Sequence, residues 1–115
     1  VVENGKIRTV AGTGEKGFSG DDGPGLKAKM DGPKFLWIDP AGDVLIADTE
    51  NHCIRKFAVK DEIMTRIAGT GKKGKGAAGG ALEVQLARPH GVAIGPDGTM
   101  YIADSDNGRV LKIVK

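Results

Sequence analysis

Two aspartates stand at matching points of the sequence, and their carboxylates are the first candidates for chemistry. Asp48 and Asp104 each end a short apolar run, and a polar turn follows each of them. A carboxylate in this place accepts hydrogen bonds from its own turn. A metal site would need several oxygen ligands around one ion, and the spacing here is not that of a calcium loop. We therefore predict a structural role for both aspartates.

Charged side chains in the predicted loops form a second group of candidates. Asp21 and Asp22 lie in a glycine-rich segment, while Glu50 and Asp106 follow predicted strands. The matching glycine-rich segment further along the chain is basic and contains Lys72, Lys73 and Lys75. If these loops share one rim, the rim could bind a cation, an anion or a polar ligand. The charges could equally pair with each other, weakly, as surface charges do.

Catalytic constellations are not visible in the sequence. The two histidines, His52 and His90, are not in equivalent positions, and a zinc site would need a third protein ligand. No Ser-His-Asp or Cys-His set can be assembled. The segment 69–74 has glycines and lysines, but a phosphate loop would also need a following helix and a Ser or Thr. We therefore predict neither a catalytic site nor a cofactor.

Composition sets the outer limits of the interpretation. With 115 residues, the chain is long enough for one small domain. The net charge of +2 is too small to argue for a nucleic acid or an anionic surface as partner. No apolar stretch approaches the ~18 residues of a membrane helix, so we expect no membrane partner. The one cysteine, Cys53, excludes an internal disulfide.

The elements that position these residues follow from an internal repeat. The segment 10–14 (VAGTG) returns at 67–71 (IAGTG), 57 positions later, and the segment 39–48 returns at 95–104, 56 positions later. A fixed period of this size predicts a repeat architecture.

Each repeat predicts short antiparallel strands joined by turns. In the turns at 39–42 and 95–98, proline comes early and glycine late, as hairpin connections favour. The predicted strands are 7–11, 35–38, 44–47, 53–59, 63–68, 91–94, 100–103 and 109–114. Four such strands have the content of one β-propeller blade, so the predicted fold class is all-β, with two four-stranded antiparallel blades per chain.

The repeat also predicts how the chain is divided. Residues 1–14 carry a strand that completes the last blade of a neighbouring subunit. Residues 15–71 are a connector plus blade 1, and residues 72–115 are a connector plus three strands of blade 2. Since unpaired strand edges invite pairing with another chain, we expect the two ends of the repeat to complement each other.

Several segments of both repeats resemble a known repeat family. The segment 89–94 (PHGVAI), Asp97-Gly98, and the segments 101–105 (YIADS) and 107–110 (NGRV) resemble the NHL repeat. The segment 48–52 (DTENH) with 54–57 (IRKF) resembles it more closely, because Asn-His before a strand is part of the motif. The glycine-rich connectors look like the long-connector bacterial members. The resemblance implies a β-propeller, commonly six-bladed, and no single activity.

Blade 1 departs from the repeat at two places. Phe35 and Trp37 stand where blade 2 has Gly91 and Ala93. We expect their rings either to pack between blades or to line a central channel. In the family pattern an arginine often occupies the position of Cys53, as Arg109 does in blade 2. A polar contact from this position in blade 1 is therefore in doubt.

Ring closure leads to an expected quaternary structure. Propellers close with about four to eight blades, so two blades need partners. Three copies would give six blades, and we predict a homotrimer; an excised or engineered fragment is the alternative. The residues expected at the contact between subunits are Ile7, Val10, Val110 and Ile113.

The predicted function is a non-enzymatic scaffold or binding module whose loop face takes a protein or a small polar ligand. One alternative is a metal-dependent lyase or hydrolase that uses His90 and loop acids at the channel mouth, as in some relatives. Another is an anion-binding or RNA-binding face built on the three lysines of the second connector. We do not expect a nucleic acid as the main partner.

Overall fold

The part of the chain that the structure describes folds into two antiparallel sheets and a short hairpin. The computed structural model describes residues 2–76 and 79–114, without the side chains of Val2 and Glu3. The outer limits of the predicted segments, residues 1 and 115, lie outside the described residues. The described residues contain no helix long and apolar enough to cross a membrane.

The hairpin at the start of the chain differs from the strand predicted over 7–11. Strand β1 (Val2–Glu3) pairs with β2 (Lys6–Ile7) instead. Asn4 and Gly5 between them have φ angles of 51° and 79°, and two positive φ values in a two-residue turn give a tight hairpin. The Asn-Gly signal therefore fixes the local structure, and the residues after Ile7 continue outside any strand.

The first sheet, blade 1, contains five strands in the spatial order β3-β7-β6-β5-β4. Its strands are β3 (Gly23–Pro24), β4 (Phe35–Ile38), β5 (Val44–Asp48), β6 (Cys53–Ala58) and β7 (Ile63–Ala68). Four of them match the predicted blade. The two-residue β3 comes from the glycine-rich connector, and it pairs with the outer strand β7.

The second sheet, blade 2, contains three strands in the order β10-β9-β8. They are β8 (Gly91–Ile94), β9 (Met100–Asp104) and β10 (Arg109–Ile113). In both sheets a single turn of 3-10 helix follows the second strand, over Thr49–Asn51 in blade 1 and Ser105–Asn107 in blade 2.

The two sheets pack face to face through an apolar core. Leu45, Ala47 and Ile54 of blade 1 are buried in one cluster with Val92 and Ile102 of blade 2. Because side chains alternate between the faces of a strand, Val44 and Ile46 point to the opposite side of blade 1. The two blades are therefore adjacent, and each has a second face.

That second face of blade 1 carries a smaller core covered in part by the chain before the connector. Val10 and Ala11 pack against the cluster that includes Ile46 and Phe57. The backbone there repeats the geometry found at the end of β7. The Gly12 N–H donates to Gly25 O at 2.9 Å, as the Gly69 N–H donates to Ala81 O at 2.9 Å.

Candidate functional site

One end of both sheets collects the polar turns, and we call it the loop face. It consists of the turns 48–52 and 104–108 and the segments that lead into β4 and β8. Backbone hydrogen bonds join each turn to the segment beside it. The Glu50 N–H donates to Asp31 O at 3.1 Å, and the Asp106 N–H donates to Ala87 O at 3.0 Å.

Asp48 organises this end of blade 1. Its side chain is fully buried. Oδ1 accepts the backbone N–H of Asp31 at 2.9 Å, and Oδ2 accepts Asn51 Nδ2 at 2.9 Å and Arg55 Nη1 at 3.3 Å. The bond from Asn51 belongs to the carboxylate's own turn, as predicted. The other two bonds tie the turn to the connector and to β6.

Asp104 plays the same part in blade 2. Oδ1 accepts the backbone N–H of Ala87 at 2.7 Å, and Oδ2 accepts Asn107 Nδ2 at 2.9 Å and Arg109 Nε at 2.7 Å. Asn51 and Asn107 each also donate to a connector carbonyl, that of Gly17 at 2.8 Å and that of Gly74 at 2.7 Å. These buried donors and acceptors are satisfied within the fold, which leaves the aspartates a structural role.

The arginine of blade 1 is displaced by two residues. Arg109 aligns with Cys53, yet Arg55 makes the contact with Asp48. Positions two apart on a strand lie on the same face, so a long side chain can reach the same carboxylate from either. The polar contact that was in doubt for blade 1 is therefore present, and it is made from the neighbouring position on that face.

Arg55 is buried more deeply than its counterpart. It is fully buried and donates to Lys29 O at 2.6 Å, Ser19 O at 2.7 Å and Asp21 Oδ1 at 3.1 Å. Its guanidinium also lies 5.3 Å from the centre of the Phe18 ring, within cation–π range. The connector of blade 1 is thus wrapped around one arginine.

Burial affects two titratable groups beside this network. It raises the pKa of Asp48, and the bonds from Asn51, the Asp31 N–H and Arg55 oppose that rise. It also raises the pKa of the Cys53 thiol to about 12. Because the thiolate is the reactive form, Cys53 is an inert core residue at neutral pH.

Arg88 joins the two blades at the loop face. Its Nε lies 3.0 Å from Glu50 Oε1, and its Nη2 lies 3.0 Å from Glu50 Oε2, a bidentate pair. Its Nη1 lies 3.6 Å from Asp106 Oδ1. Lys34 Nζ lies 3.9 Å from Glu50 Oε2. The guanidinium holds the pKa of Glu50 below its usual value.

The histidines contact the backbone of the same arginine. His52 Nδ1 accepts the Arg88 N–H at 3.0 Å, and His90 Nδ1 lies 2.7 Å from Arg88 O. Burial, followed by the charge of Lys73, lowers the pKa of His52. Accepting a bond at Nδ1 requires a neutral ring, so geometry and charge favour the same form. His52 has a φ of 54°, in the left-handed region, where blade 2 has Gly108.

The structure separates the predicted loop-face residues into two groups. Glu50, Asp106 and His90 meet at Arg88. The aspartates of the first connector make other contacts. Asp21 pairs with Arg55, and Asp22 has a φ of 64° and donates its backbone N–H to Met64 O at 2.7 Å.

Of the lysines of the second connector, Lys73 lies close enough to His52 that, after burial, its charge is the next cause that lowers the pKa of that ring. The Lys72 N–H donates to Thr70 Oγ1 at 3.1 Å, Lys73 forms an isolated bridge with Leu86, and Lys75 O accepts Arg109 Nη1 at 3.0 Å. Arg88 was not predicted as a site residue, because Gly32 stands at the equivalent position of the first repeat. The available signal was the replacement itself, because Arg88 has a φ of 48° in the left-handed region where the first repeat has Gly32 at 60°.

Of the four residues predicted at subunit contacts, two are exposed and two pack against the cores of this chain. Ile7 and Val110 are 83% and 70% exposed. Val10 packs against the second core cluster, and Ile113 packs against the core between the blades. The predicted channel residues lie on β4 and are 43% exposed at Phe35 and 38% exposed at Trp37.

An apolar groove of about 600 Å³ lies along the second face of blade 1. Its walls include Val10, Met30, Leu36, Ile46 and Phe57. Within residues 2–76 and 79–114, no three His, Cys, Asp or Glu side chains are placed to share a metal ion.

Comparison with known proteins identifies the repeat. The family model of the NHL repeat matches residues 30–57 and 86–113. Protein SUPPRESSOR OF QUENCHING 1 of Arabidopsis thaliana is 32% identical over 95 residues, which cover 81% of this chain and 9% of that protein. Human NHL repeat-containing protein 2 is also 32% identical over 95 residues, covering 81% of this chain and 13% of its own length.

A solved structure supports the fold. An auxiliary nutrient binding protein from Bacteroides thetaiotaomicron superimposes with a TM-score of 0.76 at 28% identity, over 91% of this chain and 28% of that chain. This chain therefore spans a minor part of each of these similar proteins. The two family matches end within β6 and at the end of β10, so each sheet contains one repeat. The chain belongs to the NHL-repeat family, with an all-β, propeller-like pair of blades.

Proposed function

We propose that this protein is a non-enzymatic binding module in which copies of the two-blade unit close into a ring and the loop face takes the ligand. The proposed ligand is a protein or a small polar molecule. The observation that carries the proposal is the cluster around Arg88. It gathers Glu50, Asp106 and His90 where the inner strand of blade 2 begins.

Position in the fold supports binding at this cluster. The segments before β4 and β8 lead into the innermost strands of a propeller, next to the central channel. Side chains there combine anionic and cationic groups that are about one third exposed, 34% for Glu50, 36% for Arg88 and 35% for Asp106. Such groups offer hydrogen bonds of both polarities to a polar ligand. The similar structure named for nutrient binding is compatible with this role.

Ring closure is the second part of the proposal. Two blades cannot enclose a channel, and propellers have about four to eight. Three copies give six blades, with residues 1–14 completing the last blade of a neighbour. Residues 15–71 and 72–115 then form the repeating pair of blades. The open apolar groove on blade 1 supports further packing at that face.

Mass in solution tests the ring. Light scattering should report about 36 kDa for three copies of the 12.0 kDa chain. A stable species at the mass of one chain would contradict ring closure by copies.

Amide NMR tests the loop face. A panel of free amino acids and monosaccharides should shift the amides of Arg88 and His90, and Arg88→Ala should abolish those shifts. Lys60→Ala, in the turn between β6 and β7 at the other end of the sheet, is the matched control. Shifts confined to that opposite end would contradict the proposed site.

A further inference from the structure

Each blade leaves one apolar face without a partner sheet within the described residues. On blade 1, Leu36 and Ile38 are 59% and 54% exposed beside the groove. On blade 2, Tyr101 and Val110 are 39% and 70% exposed. Large exposed apolar groups on two separate faces indicate two interaction surfaces.

The junction between the two blades is a template for what covers these faces. It buries Leu45, Ala47 and Ile54 against Val92 and Ile102. The residues of blade 2 that lie 56 positions after the three blade 1 residues are Tyr101, Ala103 and Val110. The residues of blade 1 that lie 56 positions before the two blade 2 residues are Leu36 and Ile46. All five are apolar residues of the two open faces. The open faces are therefore complementary to each other in the same way as the two faces that pack together inside the chain.

The chain before the connector already occupies part of this second junction. Ala11 packs against the core of blade 1's open face, as Ala68 packs in the core between the blades. The backbone bonds of Gly12 and Gly69 are also equivalent, both at 2.9 Å. Residues 10–12 therefore occupy on blade 1 the position that residues 67–69, at the end of β7, occupy beside blade 2.

We infer that the partner at the groove is a second copy of this chain, docked head to tail, so that its β10 pairs antiparallel with residues 6–11. The register follows from blade 1, where Lys56 lies opposite Thr65 and Phe57 opposite Met64. The repeat shift places Lys112 of one copy opposite Arg8 of the next, and Ile113 opposite Ile7. This inference deepens the proposed ring and rests on it.

One polar contact also carries over to this interface. Thr49 Oγ1 donates to Pro89 O at 2.7 Å, in the buried junction between the blades. The equivalent residues, Ser105 and Pro33, are both exposed. Across the interface the Ser105 hydroxyl donates to Pro33 O of the next copy. The ion pair of Arg88 does not carry over, because Gly32 occupies its position.

Disulfide trapping in the full chain tests the register. Residues directly opposite on antiparallel strands have Cα atoms about 4.5–5.5 Å apart, within disulfide range. Mild oxidation of a Lys112→Cys/Arg8→Cys double variant should link the chains into a covalent species of about 36 kDa. The control, Lys112→Cys/Lys6→Cys, is displaced by two residues, where a pair about 7–8 Å apart should not link. The native thiol of Cys53 is buried and does not compete.

Two results would overturn the inference, and they separate it from the proposed ring. A 36 kDa assembly in which the Lys112–Arg8 pair fails to link, or links no better than the displaced pair, removes this interface and leaves the ring. A 12 kDa chain removes both. As an independent check, Val110→Asp should lower the mass from three chains to one. Val59→Asp, at an exposed position in the turn after β6, should not.

Discussion

Each blade holds one polar turn with an aspartate, an asparagine and an arginine, and the two blades differ in the position of the arginine. Asp48, Asn51 and Arg55 in blade 1 correspond in role to Asp104, Asn107 and Arg109 in blade 2. The aspartates and asparagines keep the repeat spacing of 56, while the arginines are 54 apart. The repeat therefore conserves the position of the carboxylate and leaves the cation free to move along one face of the third strand.

The difference also changes how deeply each cation is buried. The Arg55 side chain is fully buried, whereas that of Arg109 is 23% exposed. A buried charge depends on all of its partners, because removing one partner leaves another charge unpaired in the interior. The two blades should consequently respond differently to equivalent substitutions.

The largest expected effect comes from the arginines. Arg55→Ala leaves Asp48 buried without its cation and should lower the free energy of unfolding by about 3–5 kcal/mol. Arg109→Ala should cost about 1.5–3 kcal/mol, the range for a hydrogen bond to a charged group, because Arg109 is partly exposed and its truncation admits water to Asp104. Urea unfolding at fixed protein concentration measures both. Equal losses would show that the difference in burial has no energetic consequence.

Moving the arginine sharpens the same comparison. Cys53→Arg combined with Arg55→Leu gives blade 1 the arrangement of blade 2, since Leu111 stands where Arg55 does. If the carboxylate accepts the cation from either position, this double variant should be more stable than Arg55→Leu alone.

The next effect concerns the junctions. Thr49→Val removes the buried donor to Pro89 O and should cost about 1–3 kcal/mol in the free energy of unfolding. Ser105→Ala, its match on blade 2, should leave the unfolding of one chain nearly unchanged and should weaken association. Unfolding curves and mass against concentration separate the two. A loss of stability in Ser105→Ala at constant mass would contradict the proposed equivalence.

His52 provides a smaller, pH-dependent contrast with Gly108. A lowered folded-state pKa means that the stability from the neutral ring is present above the usual value of about 6.5 and is lost as pH falls through the folded pKa. His52→Gly removes one hydrogen bond, worth about 1 kcal/mol, and relieves the left-handed backbone. Its stability should fall less than that of the wild type between pH 7.5 and pH 5. Parallel curves would exclude this role of the ring.

The smallest effect is expected at the rim. Glu50→Gln weakens the bidentate pair with Arg88, and Asp106→Asn weakens only a 3.6 Å contact. Surface pairs contribute little and are screened by salt. Thermal unfolding at low and high salt should show a larger salt-dependent difference for Glu50→Gln than for Asp106→Asn. A difference unaffected by salt would point to packing instead of charge.

The strands were predictable because alternation and turn residues act locally. The observed β4, β7 and β8 have the predicted bounds, and most other strands differ by a residue at one end. There are two exceptions: β3, which was not predicted, and the start of the chain, where Asn4 and Gly5 close a hairpin in preference to a longer strand.

The site was less predictable because its two key arginines do not recur at the repeat spacing. Asp48 and Asp104 could be identified from their turns, but Arg55 stands off the repeat spacing and Arg88 has glycine as its counterpart. Arg88 binds Glu50, 38 residues away, and Arg55 binds Asp21, 34 residues away, as well as the nearby Asp48. A repeat comparison is sensitive only to positions that recur. Departures from a repeat therefore deserve inspection as candidate contacts.

The short strand β3 places a proline at the outer edge of blade 1, where Pro24 lies opposite Ile63. Proline has no backbone N–H, so this edge offers one donor fewer to an incoming strand. Among the described residues, the outer side of blade 2 ends at β10. Fibres that grow by pairing of outer strands need two edge strands on every molecule that can each pair with a strand of another molecule. A chain whose blade 1 edge pairs poorly with an incoming strand should thus resist fibre growth, which favours recovery of soluble protein after refolding.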